Sequence, residues 1–488
     1  MKLNRQLYIL TVTLFAFLFV SCSNNDDDFD PVHDYVNNWI YEIMDAWYYW
    51  DDKMPANPDT TKDPESFFKS LLYTYNKQTN PEGDRFSWIQ KNYVDLLNAL
   101  NGVTPTDVGF EYLAAYRKNS NAIDYWVCYV KPNTDAYAKG LRRGDKISTV
   151  DGVAITKDNY ASLLRAGKSE YELKVLNPAT DETRTIIVTV EQNYAENPVY
   201  YSNTYDVDGK KIGYLMYNFF AVDKGDNRGA YDIALNNVLT EFYNDNITDL
   251  VLDLRYNTGG IITSTVRLAS ALVPDRSTEK KFNIKKYNPT VTAYYQEKEG
   301  DKFFYDSFVD NFTISNTTYN IPRLGDKIGK LYILTSANTA SASELIINGL
   351  RPYMDVFLIG DVTYGKNVGS ITFYEENKSY NKWGLQPIVV RTYNANNESD
   401  YNTGFEPDVA IDEILNALDN DDMLYPIGDK DNEIMLKMAI DIITGNNAYT
   451  TTVKSSRLDS SLKKGSSLEQ KPGAFQMVFE TPELQLNK

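Results

Sequence analysis

Between residues 32 and 103 the apolar positions recur at helical spacing. Val36, Trp39, Ile40, Ile43, Met44 and Trp47 fall three and four apart, which predicts an amphipathic helix with a wide apolar face. Phe67, Phe68, Leu71 and Leu72 predict a second helix over 66–76, and Pro55, Asn57-Pro58 and Pro81-Glu82-Gly83 punctuate the loops. From 104 to 193 the pattern shifts to short strands, such as Gly109–Leu113 and Tyr125–Val130. A short helix follows from Asp135, stopped by Gly140, and Gly144-Asp145 turns into a strand over Lys146–Val150. From 194 to 420 strands and helices alternate, which predicts a layered α/β core. Strands are expected at Lys211–Phe220, Asp249–Leu254, Lys330–Thr335 and Val356–Gly360, with helices at Tyr231–Asn244, Ile261–Leu272 and Leu345–Leu350. The tyrosine-rich stretch 275–325 shows no period and is expected to be a substrate-facing insertion. A helix is expected over Asn432–Thr444, within 421–446, and residues 447–488 read as a polar, serine-rich tail without regular structure.

Composition narrows the chemistry. With 488 residues the chain is too long for one core, and 42% hydrophobic with 24% charged residues is globular usage. The formal charge of −18 and the absence of a basic stripe argue against a nucleic-acid partner. Met1–Arg5 carries two positive charges before the apolar run Tyr8–Val20, which suits residues 1–21 as a signal peptide. The run ends in Leu18-Phe19-Val20-Ser21-Cys22, which resembles a bacterial lipobox. That resemblance implies lipidation at Cys22 and an extracytoplasmic protein anchored to a bacterial membrane, with the outer membrane favoured. The acidic stretch that follows, within 22–31, suits a spacer. A lipidated Cys22 leaves Cys128 as the only other cysteine, so no disulfide and no cysteine-rich zinc site is expected. The single histidine, His33, lies close to the anchor. Histidine-based triads and zinc peptidases are thereby excluded, and a hydrolase would need Lys, Asp or Glu as its base.

Three loops carry candidate chemistry. One is Asn257-Thr258-Gly259-Gly260 after a strand. The second is Ser341-Ala342-Ser343-Glu344 at a helix start, and the third is the glycine-bounded Gly365-Lys366-Asn367-Val368-Gly369. Each alone reads as a turn or a helix cap, and Ser343 is expected to cap. Together they can form an acyl-transfer site. A hydroxyl at a helix N-terminus sits beside amides that stabilise an oxyanion, a glycine turn adds a donor, and a lysine can act as base.

Two resemblances rest on these residues. Residues 104–193, with Ala138, Gly140-Leu141 and Gly144-Asp145 before a strand, resemble a PDZ domain of the bacterial protease type. This implies peptide capture by strand addition, with Val108, Gly109 and Phe110 as the carboxylate-binding loop. The order of all motifs over about 32–445 resembles the C-terminal processing peptidase (tail-specific protease) family. The resemblance implies a multidomain α/β protein with an N-terminal helical region (32–103), the PDZ-like domain and a serine-peptidase core. It makes Ser341 the nucleophile and Lys366, 25 residues later, the general base. Ala342 with Gly259 or Gly260 would form the oxyanion hole. Neither metal nor nucleotide is needed, and the expected partners are proteins or peptides with apolar C-termini. The sequence departs from the family where Ser370 stands in place of a glutamine that orients the lysine, and where Pro352 replaces an aspartate. Ser370 is the candidate supporting residue. The rival readings are a catalytically impaired peptide-binding lipoprotein of the same fold and a glycan-binding lipoprotein. For the peptidase, Lys366 must lose about 3 units from an ordinary pKa near ~10.4, equivalent to roughly 4 kcal/mol. It is therefore expected to be buried, free of Glu344 and Asp355, and close to the Ser341 hydroxyl.

Overall fold

The structure, a computed structural model, describes residues 31–117, 120, 122–165, 167–420, 422–446, 462–471 and 473–482. The expected signal peptide, Cys22 and acidic spacer lie outside the described residues.

Helix α1 (Pro31–Trp47) buries the expected face, with Val36, Ile40 and Met44 wholly inaccessible. Helix α2 (Pro64–Leu71) starts on an Asp63 cap that accepts the Ser66 amide, with Pro64 in the first turn. It stops five residues short of the expected Asn76. Thr74 and Asn76 bridge instead to Asp84 and Asn80, which folds that stretch into a tight loop. Neither helix has a hydrophobic centre of its own: Trp47 packs on Tyr295 and Phe373 of the α/β core. Helix α3 (Tyr93–Leu100) leads into the β-rich part.

There, strands β1 (Phe110–Tyr116), β2 (Ile123–Val130), β3 (Lys146–Val150), β4 (Glu170–Asn177) and β5 (Glu182–Thr189) form an antiparallel sheet in sequential order. A one-turn helix, α4 (Asp135–Ala138), packs beside it. The unit has its own core, which includes Phe110, Val127, Leu141, Ile147 and Leu173. Cys128 is buried on β2, and burial pushes its thiol up to about 12, so it is no nucleophile.

The core is built on six strands. These are β6 (Val199–Val207), β7 (Lys210–Tyr217), β8 (Asp249–Asp253), β9 (Lys330–Thr335), β10 (Asp355–Gly360) and β11 (Val409–Ala410), adjacent in that order. All pairs are parallel except β6 with β7. Alternation explains why these strands read as continuous apolar runs. Leu250, Leu252, Leu331 and Ile333 face helices α5 (Ala230–Asp245), α6 (Ile262–Leu272) and α7 (Ala342–Leu350). Val251 and Leu334 face helix α8 (Ile434–Thr444) on the other side.

A second six-stranded sheet corrects two expectations. The stretch 275–325 is no loose insertion: its strand β12 (Lys281–Tyr287) pairs with β13 (Ile388–Tyr393), which pairs with β14 (Val368–Ile371). Nor is the tail structureless where it is described. Residues Lys463–Ser466 (β15) add to the edge of β1. Met477–Phe479 (β16) lie between β14 and the short strand β17 (Gly260–Ile261), parallel to both. The apolar trio Met477, Val478 and Phe479 is buried there, which offsets the cost of ordering the segment.

Candidate active site

Three loops leave the carboxyl ends of the parallel strands β8, β9 and β10, where open α/β sheets place ligands. They carry Gly259-Gly260, Ser341 and Lys366. The loops are tied together by hydrogen bonds from the nucleophile loop to the glycine turn. The Ala340 amide and the Ser343 hydroxyl both donate to the Asn257 carbonyl, at 3.1 Å each, and Thr339 donates to the Leu254 carbonyl at 2.8 Å. Ser343 therefore holds the turn, where capping was expected of it.

Ser341 is fully buried at the first turn of α7, with φ +64° and ψ −114°. That backbone region is costly for a non-glycine residue, of order 1–3 kcal/mol, and such strain clusters at functional sites. Its hydroxyl has no hydrogen-bond partner among the described residues. The amide of Ala342, next in the chain, is likewise without an acceptor among the described residues.

Glu344, from the Ser341–Glu344 motif, is not paired with the lysine ammonium. Its carboxylate instead clamps two loops. One oxygen accepts from Thr363 (2.6 Å) and the Gly365 amide (2.7 Å). The other accepts from the amides of Ser341 and Lys366, at 2.8 Å each. Burial pushes its pKa up to about 7 against the pull of these donors. Because the contacts run to the Lys366 backbone, the ammonium is left free of an ion pair.

Lys366 is wholly buried, and burial brings its pKa down to about 7, with Asp84 and Glu344 acting in the opposite direction. The Phe86 ring lies 4.8 Å from Nζ, and Arg85 donates to the Gly365 carbonyl at 2.9 Å. These residues follow α2, so the N-terminal region helps to build the site. No hydrogen bond joins Lys366 to the Ser341 hydroxyl among the described residues. Nζ donates to the Phe475 carbonyl (2.8 Å) and to Gln476 Oε1 (3.2 Å), both from the tail. Ser370 does not reach the lysine either; its hydroxyl donates to the Met477 carbonyl at 3.3 Å. The amide oxygen beside Lys366 comes from Gln476, 110 residues away in the chain, which no local motif could reveal.

The two glycines differ in role. The Gly259 amide is satisfied by the Asn257 side chain at 2.9 Å, whereas the Gly260 amide points at the Gln476 carbonyl oxygen at 2.6 Å. Of the pair, Gly260 is thus the donor whose partner comes from the tail rather than from its own turn. A Cβ on Gly259 (φ +109°) would come within 2.7 Å of the Ser341 Cβ. One on Gly260 (φ +135°) would come within 2.0 Å of the Phe220 carbonyl oxygen. Gly260→Ala is expected to turn this amide away and lower turnover by ~10²–10³, as loss of one oxyanion donor does. Steady-state kinetics beside a thermal melt would separate that from unfolding.

The Val108-Gly109-Phe110 turn is less open than expected. The Gly109 amide donates to Asp107 at 2.8 Å, and Phe110 is paired in the sheet with Val130. Buried Asp107 and Glu111 flank it around Lys131, so a peptide carboxylate would meet like charge there.

Comparison with known proteins agrees with this architecture. Residues 211–411 match the family described as peptidase family S41, and residues 35–88 match the peptidase S41 N-terminal domain. A carboxyl-terminal-processing protease of Picosynechococcus is 26% identical over 241 residues, 49% of each chain, so this chain spans about half the length of that relative. A Staphylococcus aureus protein named as a CtpA-like serine protease is 22% identical over 87% of this chain and 75% of its own. A solved structure of a Bacteroides fragilis protein assigned to the S41 proteases superposes with a TM-score of 0.63 at 27% identity. It covers 84% of this chain and 97% of its own. The matched segments supply the Asp84–Phe86 wall and the three loops that meet at the sheet's end, and this chain belongs to peptidase family S41.

Proposed function

We propose that this chain is a serine endopeptidase in which Ser341 is the nucleophile and Lys366 the general base. The observation that carries the reading is the buried Lys366, free of any carboxylate ion pair among the described residues, on a loop that Glu344 ties to the Ser341 loop. In the reaction Ser341 Oγ gives its proton to neutral Lys366 Nζ and attacks the peptide carbonyl. The amides of Ala342 and Gly260 hold the oxyanion. The tetrahedral intermediate collapses as Lys366 returns the proton to the departing amine. Water then hydrolyses the acyl-enzyme, with Lys366 again taking the proton. The substrates are proteins or peptides with apolar C-terminal tails, and strand β1 of the PDZ-like unit, along which Lys463–Ser466 now lie, is the strand that binds them when that segment gives way. The protein works outside the cytoplasm, held to a membrane through lipid on Cys22. No helix among the described residues is long and apolar enough to cross a membrane.

The test is cleavage of an unfolded protein with an apolar C-terminus, followed across pH. Because Lys366 must be neutral, kcat/KM is expected to rise with pH around a midpoint near 7. Below it the loss is about tenfold per pH unit. A midpoint near ~10, the ordinary lysine value, would remove Lys366 from the role. The same shift enters stability: between about 7 and 10.5 the folded chain binds fewer protons than the unfolded one, so Lys366 favours folding more as pH rises.

A further inference from the structure

The tail enters the structure twice, at two places where a peptide could bind. Residues Lys463–Ser466 run antiparallel along β1, the strand that follows the Val108-Gly109-Phe110 turn. Ser467 and Tyr112 then exchange hydrogen bonds, amide to carbonyl at 2.9 Å and amide to hydroxyl at 2.8 Å. Arg165 holds the Gln470 carbonyl, and Lys471 pairs with Glu111 at 2.6 Å. Eleven residues after Ser466 the segment reaches the other sheet. There Gly260 and Ser370 are partnered by Met477 and Val478.

In this second place the tail takes up two of the groups that catalysis would use, the Gly260 amide and the Lys366 ammonium. The Gln476 carbonyl accepts from the Gly260 amide, and Lys366 donates to the Phe475 carbonyl and the Gln476 side chain. The Phe475 ring stacks on Tyr364 at 4.1 Å between centroids, next to the lysine loop. Ser341 and Lys366 are 0% exposed. A small cleft of about 70 Å³ reaches Gly259 and Gly260 from outside, but Gly473, Ala474 and Gln476 form one of its walls, and neither Ser341 nor Lys366 lines it.

We propose that residues 462–471 and 473–482 are an internal peptide ligand of this chain, filling the β1 edge and the slot between β17 and β14, and that an extended apolar peptide enters the slot by replacing them. The proposal rests on the peptidase reading for what the slot is for, but not for whether the tail leaves it. The slot is made for backbone: two parallel ladders hold any strand, and small Gly369 receives the Phe479 ring, since a Cβ there would lie 2.4 Å from it. The tail's advantage is its covalent tether, equivalent to a local concentration of about millimolar for a short flexible link. Weakening its side-chain contacts therefore opens the slot to a competitor.

The test uses the full chain carrying Ser341→Ala, so that nothing is cut. A fluorescent peptide with the sequence of residues 473–482 is titrated against this protein and against the same protein with Met477→Asp and Phe479→Asp. At least tenfold tighter binding to the tail variant is expected; equal affinity, or no binding to a folded tail variant, overturns the proposal. Should the variant not fold, hydrogen exchange on the unaltered chain decides. The amide of Gly260, which donates to the Gln476 carbonyl, is expected to exchange at least tenfold faster than those of Val251 and Leu334, through local release of the tail. Exchange only at the rate of those core amides makes the tail a permanent strand and overturns the proposal. Neither readout involves hydrolysis, so a chain that releases its tail yet cuts nothing would lose the peptidase reading alone.

Discussion

Ser341→Ala is expected to abolish hydrolysis and, at the same time, to leave the protein slightly more stable. The loss in kcat is of the order of 10⁴–10⁶, the range seen when a nucleophile is removed from a site whose oxyanion donors survive. The gain in stability has a separate cause. The Ser341 hydroxyl is buried with no partner among the described residues, and an unsatisfied buried polar group costs about 1–3 kcal/mol. Alanine removes that group while keeping the strained φ of +64° and the amide that Glu344 accepts. Lys366→Ala and Lys366→Arg should lose as much activity, since arginine cannot surrender its proton at any working pH. The double variant should be no worse than either single one, because the pair acts as a unit. Progress curves beside urea unfolding check both halves. Turnover retained by Ser341→Ala would falsify the mechanism, and a marked fall in its stability would show that the hydroxyl has a partner after all.

The second large effect lies behind the glycine turn. Arg255 is wholly buried and bonded to Asp253, Glu413 and Glu433, with contacts of 2.7 Å to each glutamate. Arg143, from the β-rich unit, shares those glutamates and also donates to Tyr256, the residue before Asn257. Arg255→Ala leaves Asp253 and Glu433 buried without their main cation, and breaking such a pair costs about 3–5 kcal/mol. The site should loosen with it, because Ser336 donates to the Arg255 carbonyl and so ties this turn to the nucleophile loop. A lowered urea midpoint with unchanged slope is the expected signature. An unchanged midpoint would mean that water reaches these charges.

Local pattern was enough for much of this fold. The face of α1, the buried strand β8 and the loops holding Gly260, Ser341 and Lys366 were all legible, because periodicity and turn residues act over a few positions. The buried environment of Lys366 was stated only as a requirement, since its walls come from Asp84–Phe86 and from the tail. What the sequence hid was long-range pairing. Met477-Val478-Phe479 is too short an apolar run to announce a strand, and its partners Gly260 and Ser370 lie far back in the chain. The same holds for 281–287, whose strand character depends on residues 390–393. Glu344 was visible as part of a motif, but its two-loop contacts are set by the fold.

Strand β16 has a consequence for how the protein is made. It is synthesised long after the strands it separates, yet it occupies an interior position in its sheet, with contacts such as Thr263 to Glu480 spanning 217 residues. Until it arrives, β17 and β14 face each other across an unfilled gap, with two sets of unpaired backbone groups beside the serine and the lysine. Pairing over such distances is slow to form. Each new molecule thus passes through an interval in which Ser341 and Lys366 can be assembled and uncovered, and that interval closes only when β16 has been made and has paired.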